Sequence, residues 1–259
     1  MPAHSLDEGA WRLDTFVAPK GSLNGPTVEI EGAEHRHAFR SSRVRAGDEV
    51  RLIDGLGAEA LARVESLSRD GATLSILEGR SHARDEGVSL TVVQAIPKGR
   101  GMDEVVRRCA ELGVDTIVPV VTERCVSRPG GESARDRVER WRAVALAGVK
   151  QSRGVFLTNV EPPATLVDIG ERVERSDRSV VAWEEESGVS LASVLVRPPA
   201  PRALLAVVGP EGGFSADEIV GLRALGVEPV GLGRRVLRSD WAAAALAAVA
   251  SQMLGGLLP

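Results

Sequence analysis

Apolar and polar positions change their rhythm once along this chain. In the first 80 or so residues, "EVRLIDG", "EALARVESL" and "ATLSILEG" each alternate or run apolar for a few residues between Gly or Asp stops. That spacing predicts short strands of a small β-barrel or meander. Glu34 to Arg43 reads as a helix, and "RVRAGDEV" supplies the turn into the first of those strands. "SHARDEG", 81–87, is polar and breaks the pattern, which puts a boundary between a domain over 1–82 and another over 88–259.

Beyond it, apolar runs of strand type alternate with helix-type periodicity. "VSLTVVQAI" predicts a buried strand, "GMDEVVRRCAELG" an amphipathic helix ending at Gly113, "TIVPVV" a second strand and "ARDRVERWRAVALAGVKQS" a long helix. A short strand at "VFLTNV", a helix near "ATLVDIGERV" and the strand "SVVAWEE" follow. "ALLAVVGP", the helix "SADEIVGLRALG", the strand "EPVGLG" and a helix from Asp240 to about Leu254 complete the series. Repeated βα units predict an α/β domain with a mostly parallel sheet and helices on both faces.

Two loops in that series are rich in glycine. "LLAVVGPEGGFSADEI" runs an apolar strand into Gly209, Pro210, Glu211, Gly212 and Gly213, then into a helix. In an open parallel sheet, ligands sit at the carboxyl ends of strands, where glycine lets backbone come close. Ser215 with Glu218 three residues later is a capping box, and Phe214 with Ile219 fits a hydrophobic staple. "PVGLGRRVLRSDWAAAAL" repeats the grammar with Gly231 and Gly233, three arginines and a Ser239 cap. Two such loops can wall one pocket. Neither is a Walker loop, because no Gly-Lys-Ser or Gly-Lys-Thr occurs. "GLGRRV" imitates a dinucleotide fingerprint, but no later strand carries an acidic residue to hold a ribose. "WAAAALAAVASQML" has no charge on any face, so this helix belongs in a core or against a partner subunit.

Composition narrows the chemistry. At 43% apolar and 26% charged residues the chain is globular. "MPAHSLDEGA" lacks the basic start and apolar segment of a signal peptide, and no apolar run reaches spanning length, so a cytoplasmic address without a membrane partner is expected. All four histidines, His4, His35, His37 and His82, lie in the first third, which weighs against a Ser-His-Asp hydrolase in the later domain. Cys109 and Cys125 lack zinc spacing and no His, Cys or Asp set clusters, so no metal is expected. A net charge of −4 argues against wholesale coating of nucleic acid yet permits local basic faces. Arginine is concentrated in two places, from Arg36 to Arg51 and from Arg124 to Arg153.

"VVGPEGGFSADEI" and "LGRRVLRSDWAAAAL" resemble the two signature loops of the RsmE family, the ribosomal RNA small subunit methyltransferase E enzymes of the SPOUT superfamily. "QAIPKGRGMDEVVRRCAELGVDTIVPVVTERCV", "KQSRG" and "HAFRSSRVRAGDEVRLIDG" are similar to further family segments, so the likeness runs from about residue 34 to 250. It implies an N-terminal PUA-like β-barrel that helps bind RNA, and a C-terminal domain with a deep trefoil knot that binds S-adenosylmethionine. It also implies a homodimer and methylation of N3 of one uridine in 16S ribosomal RNA. By the same resemblance Gly209, Pro210, Glu211 and Gly212 lie along the cofactor. Leu232, Gly233, Leu237, Arg238 and Ser239 close the other side, and Trp183 and Glu184 form a third wall. The chain departs from the family's L-R-T-E-T-A with "LRSDWA", where Trp241 replaces a small hydroxyl residue, and it carries Ser41 and Ser42 where apolar residues are customary.

Such chemistry needs no covalent intermediate, since the cofactor's methyl group is already activated on a sulfonium. A cation beside the uracil favours its anion, and Arg238 is the candidate; Asp240 is placed to accept the proton, or serves only as a first-turn helix acid. RNA phosphates would be gripped by Arg40, Arg43, Lys98, Arg124 and Arg153, with the small subunit or its RNA as partner. The alternative is a SPOUT-fold RNA-binding or ribosome-assembly protein of weak or lost activity, a role Trp241 would favour.

Overall fold

The computed structural model describes residues 6, 13–32, 35, 44–83 and 87–255. The helix expected over Glu34–Arg43, with Arg40 and Arg43 on it, lies outside them. The chain divides into two compact units, Met1–Arg84 with Arg153–Leu157, and Asp85–Ser152 with Thr158–Pro259.

In the first unit, β1 (Thr15–Val17), β2 (Thr27–Glu31), β3 (Glu49–Ile53), β4 (Ala58–Leu67) and β5 (Gly71–Ser81) form one sheet in the order β1-β3-β4-β5-β2. The three consecutive antiparallel strands β3, β4 and β5 are the meander that the alternation predicts. β1 and β2 went unpredicted: one is too short to show a period, and the other alternates with the charged Glu29 and Glu31 outward. Val28, Ile30, Val50, Leu52, Val64 and Leu74 build the core.

Residues 153–157 join this unit because Phe156 bridges to Gly55 and Leu56, while Gly57 donates to the Val155 carbonyl at 3.3 Å. A Cβ on Gly57 would strike the Phe156 ring at 2.7 Å, and its φ of 109° is one that side chains avoid. Arg51 ties the segment further, donating from Nη2 to the Arg153 carbonyl at 3.1 Å and from Nε to Glu59 at 2.8 Å. Burial works to raise the Glu59 pKa, but hydrogen bonds from His82 and Arg51 outweigh it and hold this carboxyl below its ordinary range. The predicted strand "VFLTNV" is accordingly shorter, β8 (Asn159–Val160), because its first half is spent in the other unit.

The second unit carries β6 (Ser89–Ala95), α1 (Gly101–Glu111), β7 (Thr116–Val121), α2 (Glu132–Gln151), β8, β9 (Ala164–Thr165), α3 (Gly170–Glu174) and β10 (Arg178–Ala182). After these come α4 (Leu191–Leu195), β11 (Ala203–Val208), α5 (Ala216–Ala224), β12 (Glu228–Val230) and α6 (Ser239–Met253). The strands are all parallel, in the order β12-β10-β11-β6-β7-β8, with β9 also on β7. β6 and β11 are buried almost end to end, as strands covered on both faces must be. α1 buries Met102, Val105, Val106, Cys109 and Ala110, a three-and-four spacing that makes one apolar stripe. Burying each Val contributes on the order of 1.5–3 kcal/mol. Gly148 of α2 lets the two helices close in, since a Cβ there would sit 3.0 Å from the Arg107 carbonyl.

α6 lies on α1, α4, β6 and β11. Its Ala242, Ala243, Leu246, Ala247 and Ala250 are buried, while Trp241, Val249 and Met253 are exposed. The helix expected near "ATLVDIGERV" is reduced to a 3-10 turn at Val167–Ile169 and the single turn α3. α4 was missed, being too short to register a period. Among the described residues no helix is long and apolar enough to cross a membrane.

Candidate active site

β10, β11 and β12 end side by side, and the loops leaving them enclose a hollow of about 310 Å³. This is the low end of the range for small-molecule sites, roughly 300–1,000 Å³. Gly209, Pro210 and Glu211 form one side, Leu232, Gly233, Leu237, Arg238 and Ser239 another, and Trp183 and Glu184 a third. The lining thus takes in every expected wall residue except Gly212, whose neighbours Glu211 and Gly213 are part of it.

The loop after β11 owes its shape to several local devices. Gly213 has a φ of 68°, and a Cβ on it would run into the Glu184 carboxylate. Gly209 lies against the buried Phe214 ring, which a Cβ would meet at 3.0 Å. The capping box is formed: Glu218 N–H donates to Ser215 Oγ at 3.3 Å and Ser215 N–H to Glu218 Oε2 at 2.9 Å. The other Glu218 oxygen accepts from Glu123 N–H at 2.7 Å, pinning the turn after β7. From that turn Arg124 donates to the Gly212 carbonyl at 2.8 Å. Lys98 N–H donates to Glu211 at 3.2 Å.

Ser239 differs from its expected part as helix cap. The N-cap of α6 is Arg238, with no side-chain cap bond. The buried Ser239 hydroxyl instead donates to the Gly209 carbonyl at 2.6 Å and accepts from Gln94 Nε2 at 2.9 Å. It therefore fastens one glycine loop to the other. Gln94 is fully buried at the end of β6, donates also to the Ala95 carbonyl, and its Oε1 has no partner among the described residues. Sequence reading passed over Gln94; its signal was an amide in an otherwise apolar strand, which must find partners inside.

Glu186 was likewise missed. It borders the hollow and accepts from the N–H groups of Gly188 and Val189 at 2.7 and 3.0 Å, which hold its carboxyl below the usual range. Its carbonyl lies where a Cβ on Gly231 would go. Trp183 is half-buried, and its ring has the Arg223 guanidinium 5.6 Å from its centre.

A second hollow of about 420 Å³ borders the first, sharing Glu211 and Arg238 with it. Lys98, Arg100, Asp103, Glu104 and Asp240 are also in its lining. Arg238 is largely exposed, and its Nε is 3.3 Å from Asp240 Oδ1. Lys98, Arg124, Arg238 and Asp240 are thus grouped around the two hollows, whereas Arg153 belongs to the N-terminal unit. Both cysteines are buried, and burial pushes the Cys109 thiol up to about 12. Among the described residues no group of three or more His, Cys, Asp or Glu is arranged to hold a metal.

A parallel α/β domain with a glycine-walled pocket at its strand ends, in one chain with a sheet-built N-terminal unit, defines a class. A family model described as an RNA methyltransferase domain matches residues 84–251, and one described as an RNA methyltransferase PUA domain matches 30–77. The ribosomal RNA small subunit methyltransferase E of Synechocystis sp. is 30% identical over 89% of this chain and 73% of its own. That of Mycobacterium bovis is 31% identical over 87% and 86%. A solved ribosomal RNA small subunit methyltransferase E from Neisseria gonorrhoeae, bound to S-adenosyl methionine, is 27% identical with a TM-score of 0.81, over 95% of this chain and 99% of that one. The chain belongs to the ribosomal RNA small subunit methyltransferase E (RsmE) family.

Proposed function

We propose that this protein transfers a methyl group from S-adenosylmethionine to N3 of a specific uridine in 16S ribosomal RNA. The observation that carries the reading is the pair of adjoining hollows with Arg238 and Glu211 between them. The smaller one suits an adenosine: Gly213 and Gly233, both at positive φ, put backbone without side chains at its wall, and Leu232, Leu237 and Trp183 offer apolar faces. Gly209, Pro210, Glu211, Glu184 and Ser239 would complete its grip, with Gly212 shaping the loop through its bond to Arg124.

The cofactor supplies an activated methyl, so what the chain must do is align and deprotonate the acceptor. Holding two reactants in line can lower a barrier by roughly 7–11 kcal/mol, enough to work without a strong nucleophile. A uracil in the second hollow would have Arg238 beside it to favour the N3 anion, with Asp240 the adjacent carboxylate to take the proton. N3 is paired in a duplex, so the target uridine has to be unpaired or extruded. Lys98 and Arg124 near the hollows, and Arg153, Arg40 and Arg43 in the N-terminal unit, would contact phosphates.

A homodimer fits the exposed apolar stripe Trp241, Val249 and Met253 on α6, a surface that a second copy can cover. Work on ribosomal RNA also implies a cytoplasmic setting. The test is a mass-spectrometric map of methylated uridines in 16S ribosomal RNA from cells with and without this protein. One N3-methyluridine should vanish on deletion and return with the intact gene. Unchanged maps would refute the reading, and cofactor binding without transfer would mark a non-catalytic RNA-binding protein.

A further inference from the structure

We infer that Arg108 is a positioning residue for methyl transfer: it holds the Asp240 carboxylate and, through it, the Arg238 guanidinium at the border of the two hollows. The inference rests on the methyl-transfer reading above. Arg108 projects from α1, outside both hollows, and its side chain is only 20% exposed. Its guanidinium is engaged on several sides. Nη1 donates to the Asp240 backbone carbonyl at 3.1 Å and lies 3.3 Å from Oδ2, while Nη2 reaches Glu104 at 3.2 Å. The Trp241 ring covers its face, with Cζ 4.2 Å from the ring centre.

Asp240 is therefore shared between two cations. Oδ2 faces Arg108 and Oδ1 faces Arg238 Nε. The Asp240 side chain is 12% exposed, so its charge needs a partner that stays in place. Arg238 cannot be that partner alone, because its own side chain is 81% exposed and such a pair is weakly held. Arg108 can, for it is gripped by backbone, carboxylate and ring at once. A planar guanidinium is needed to fill those contacts together; an ammonium offers a point charge and no flat face to the indole. Order thus passes from α1 to Asp240 and outward to Arg238, the group assigned here to the uracil anion. Trp241 gains a task in this arrangement, shielding the ion pair from water at the start of α6.

The experiment compares wild type with R108M, R108K, D240N and the double variant R108M/D240N. It measures methyl transfer to small subunits from cells lacking the enzyme, cofactor affinity by calorimetry, and melting temperature. R108M is expected to lower kcat by about tenfold or more, with KM for the subunit and the cofactor Kd changed less than about twofold. R108K should recover only part of kcat. The double variant should be no slower than D240N alone, because both act through one carboxylate. A purely structural clamp would instead lower melting temperature and cofactor affinity and leave kcat per folded enzyme intact, and that outcome overturns the inference, as do additive effects of the two substitutions. If R108M does not fold, W241L, which uncovers only one face of the guanidinium, carries the same expectation: kcat reduced about threefold at unchanged cofactor affinity. Unchanged kcat there overturns it. A wild-type protein that methylates nothing overturns the methyl-transfer reading as well, whereas active wild type with equally active variants overturns this inference alone.

Discussion

Replacing Ser239 by Ala removes the one hydroxyl that joins the two glycine loops. In the intact protein that hydroxyl is buried, donating to the Gly209 carbonyl at 2.6 Å and accepting from Gln94 Nε2 at 2.9 Å. Without it the Gly209 carbonyl keeps only a long approach from Gln94 at 3.4 Å, while Gln94 Nε2 retains the Ala95 carbonyl at 2.8 Å. One acceptor is thus left nearly bare, at a cost of about 1–3 kcal/mol. For a chain of this size that lowers the melting temperature by roughly 2–10 °C. Where the loosened wall has to be re-formed on binding, the same energy weakens S-adenosylmethionine binding by about 5- to 150-fold. Calorimetry with the cofactor and thermal melts with and without it read both quantities. Ser193→Ala is the control, since that hydroxyl bonds only the Ser190 carbonyl at an exposed site and should change neither. An S239A protein that binds and melts like wild type would refute the claim that this bond fastens the two glycine loops together.

Gly231→Ala places a methyl against the Glu186 carbonyl, backbone on backbone, so the loop from Glu186 to Val189 must move. At a strain of about 1–3 kcal/mol, cofactor affinity should fall by about fivefold or more by calorimetry while circular dichroism stays native. Arg124→Ala should make the plot of log affinity for a 16S fragment against log salt shallower by about 0.7–0.9, one phosphate contact; an unaltered slope removes Arg124 from the RNA surface. Asp177 accepts from Arg202 and Ala203 N–H groups, which hold its carboxyl below the ordinary 3.8. Its contribution is therefore present above pH 3.8 and lost as pH falls through the lowered value, so D177N should flatten the acid limb of melting temperature against pH below 3.8.

The parallel domain was legible because its signals are local. β6, β7 and β11 are apolar runs bounded by polar, Gly or Pro residues, α1 has a clean stripe, and the Ser215–Glu218 box is written in four consecutive residues. Two glycine loops at strand ends pointed to one pocket, while the third wall, Trp183 and Glu184, came from the family resemblance. What escaped was set by partners distant in sequence. Ser239 read as a cap because a serine before a helix usually is one, yet Gly209 and Gln94 compete for its hydroxyl once three strand ends converge. Arg108 was not singled out, because its partners Asp240 and Trp241 lie far along the chain. Strand order was equally hidden: nothing in β12 announces that it pairs with β10 rather than with β11 before it.

The five residues Arg153–Leu157, lent to the N-terminal unit by a later part of the chain, bear on how the protein is born. Translation delivers Gly55–Gly57 early, but Phe156 only after residues 85–152 have left the ribosome. At roughly 5–20 residues per second that interval is on the order of 5–20 s. Through those seconds the nascent β-rich unit lacks the segment that bridges its β3–β4 turn, so its completion waits on synthesis of part of the domain that follows it.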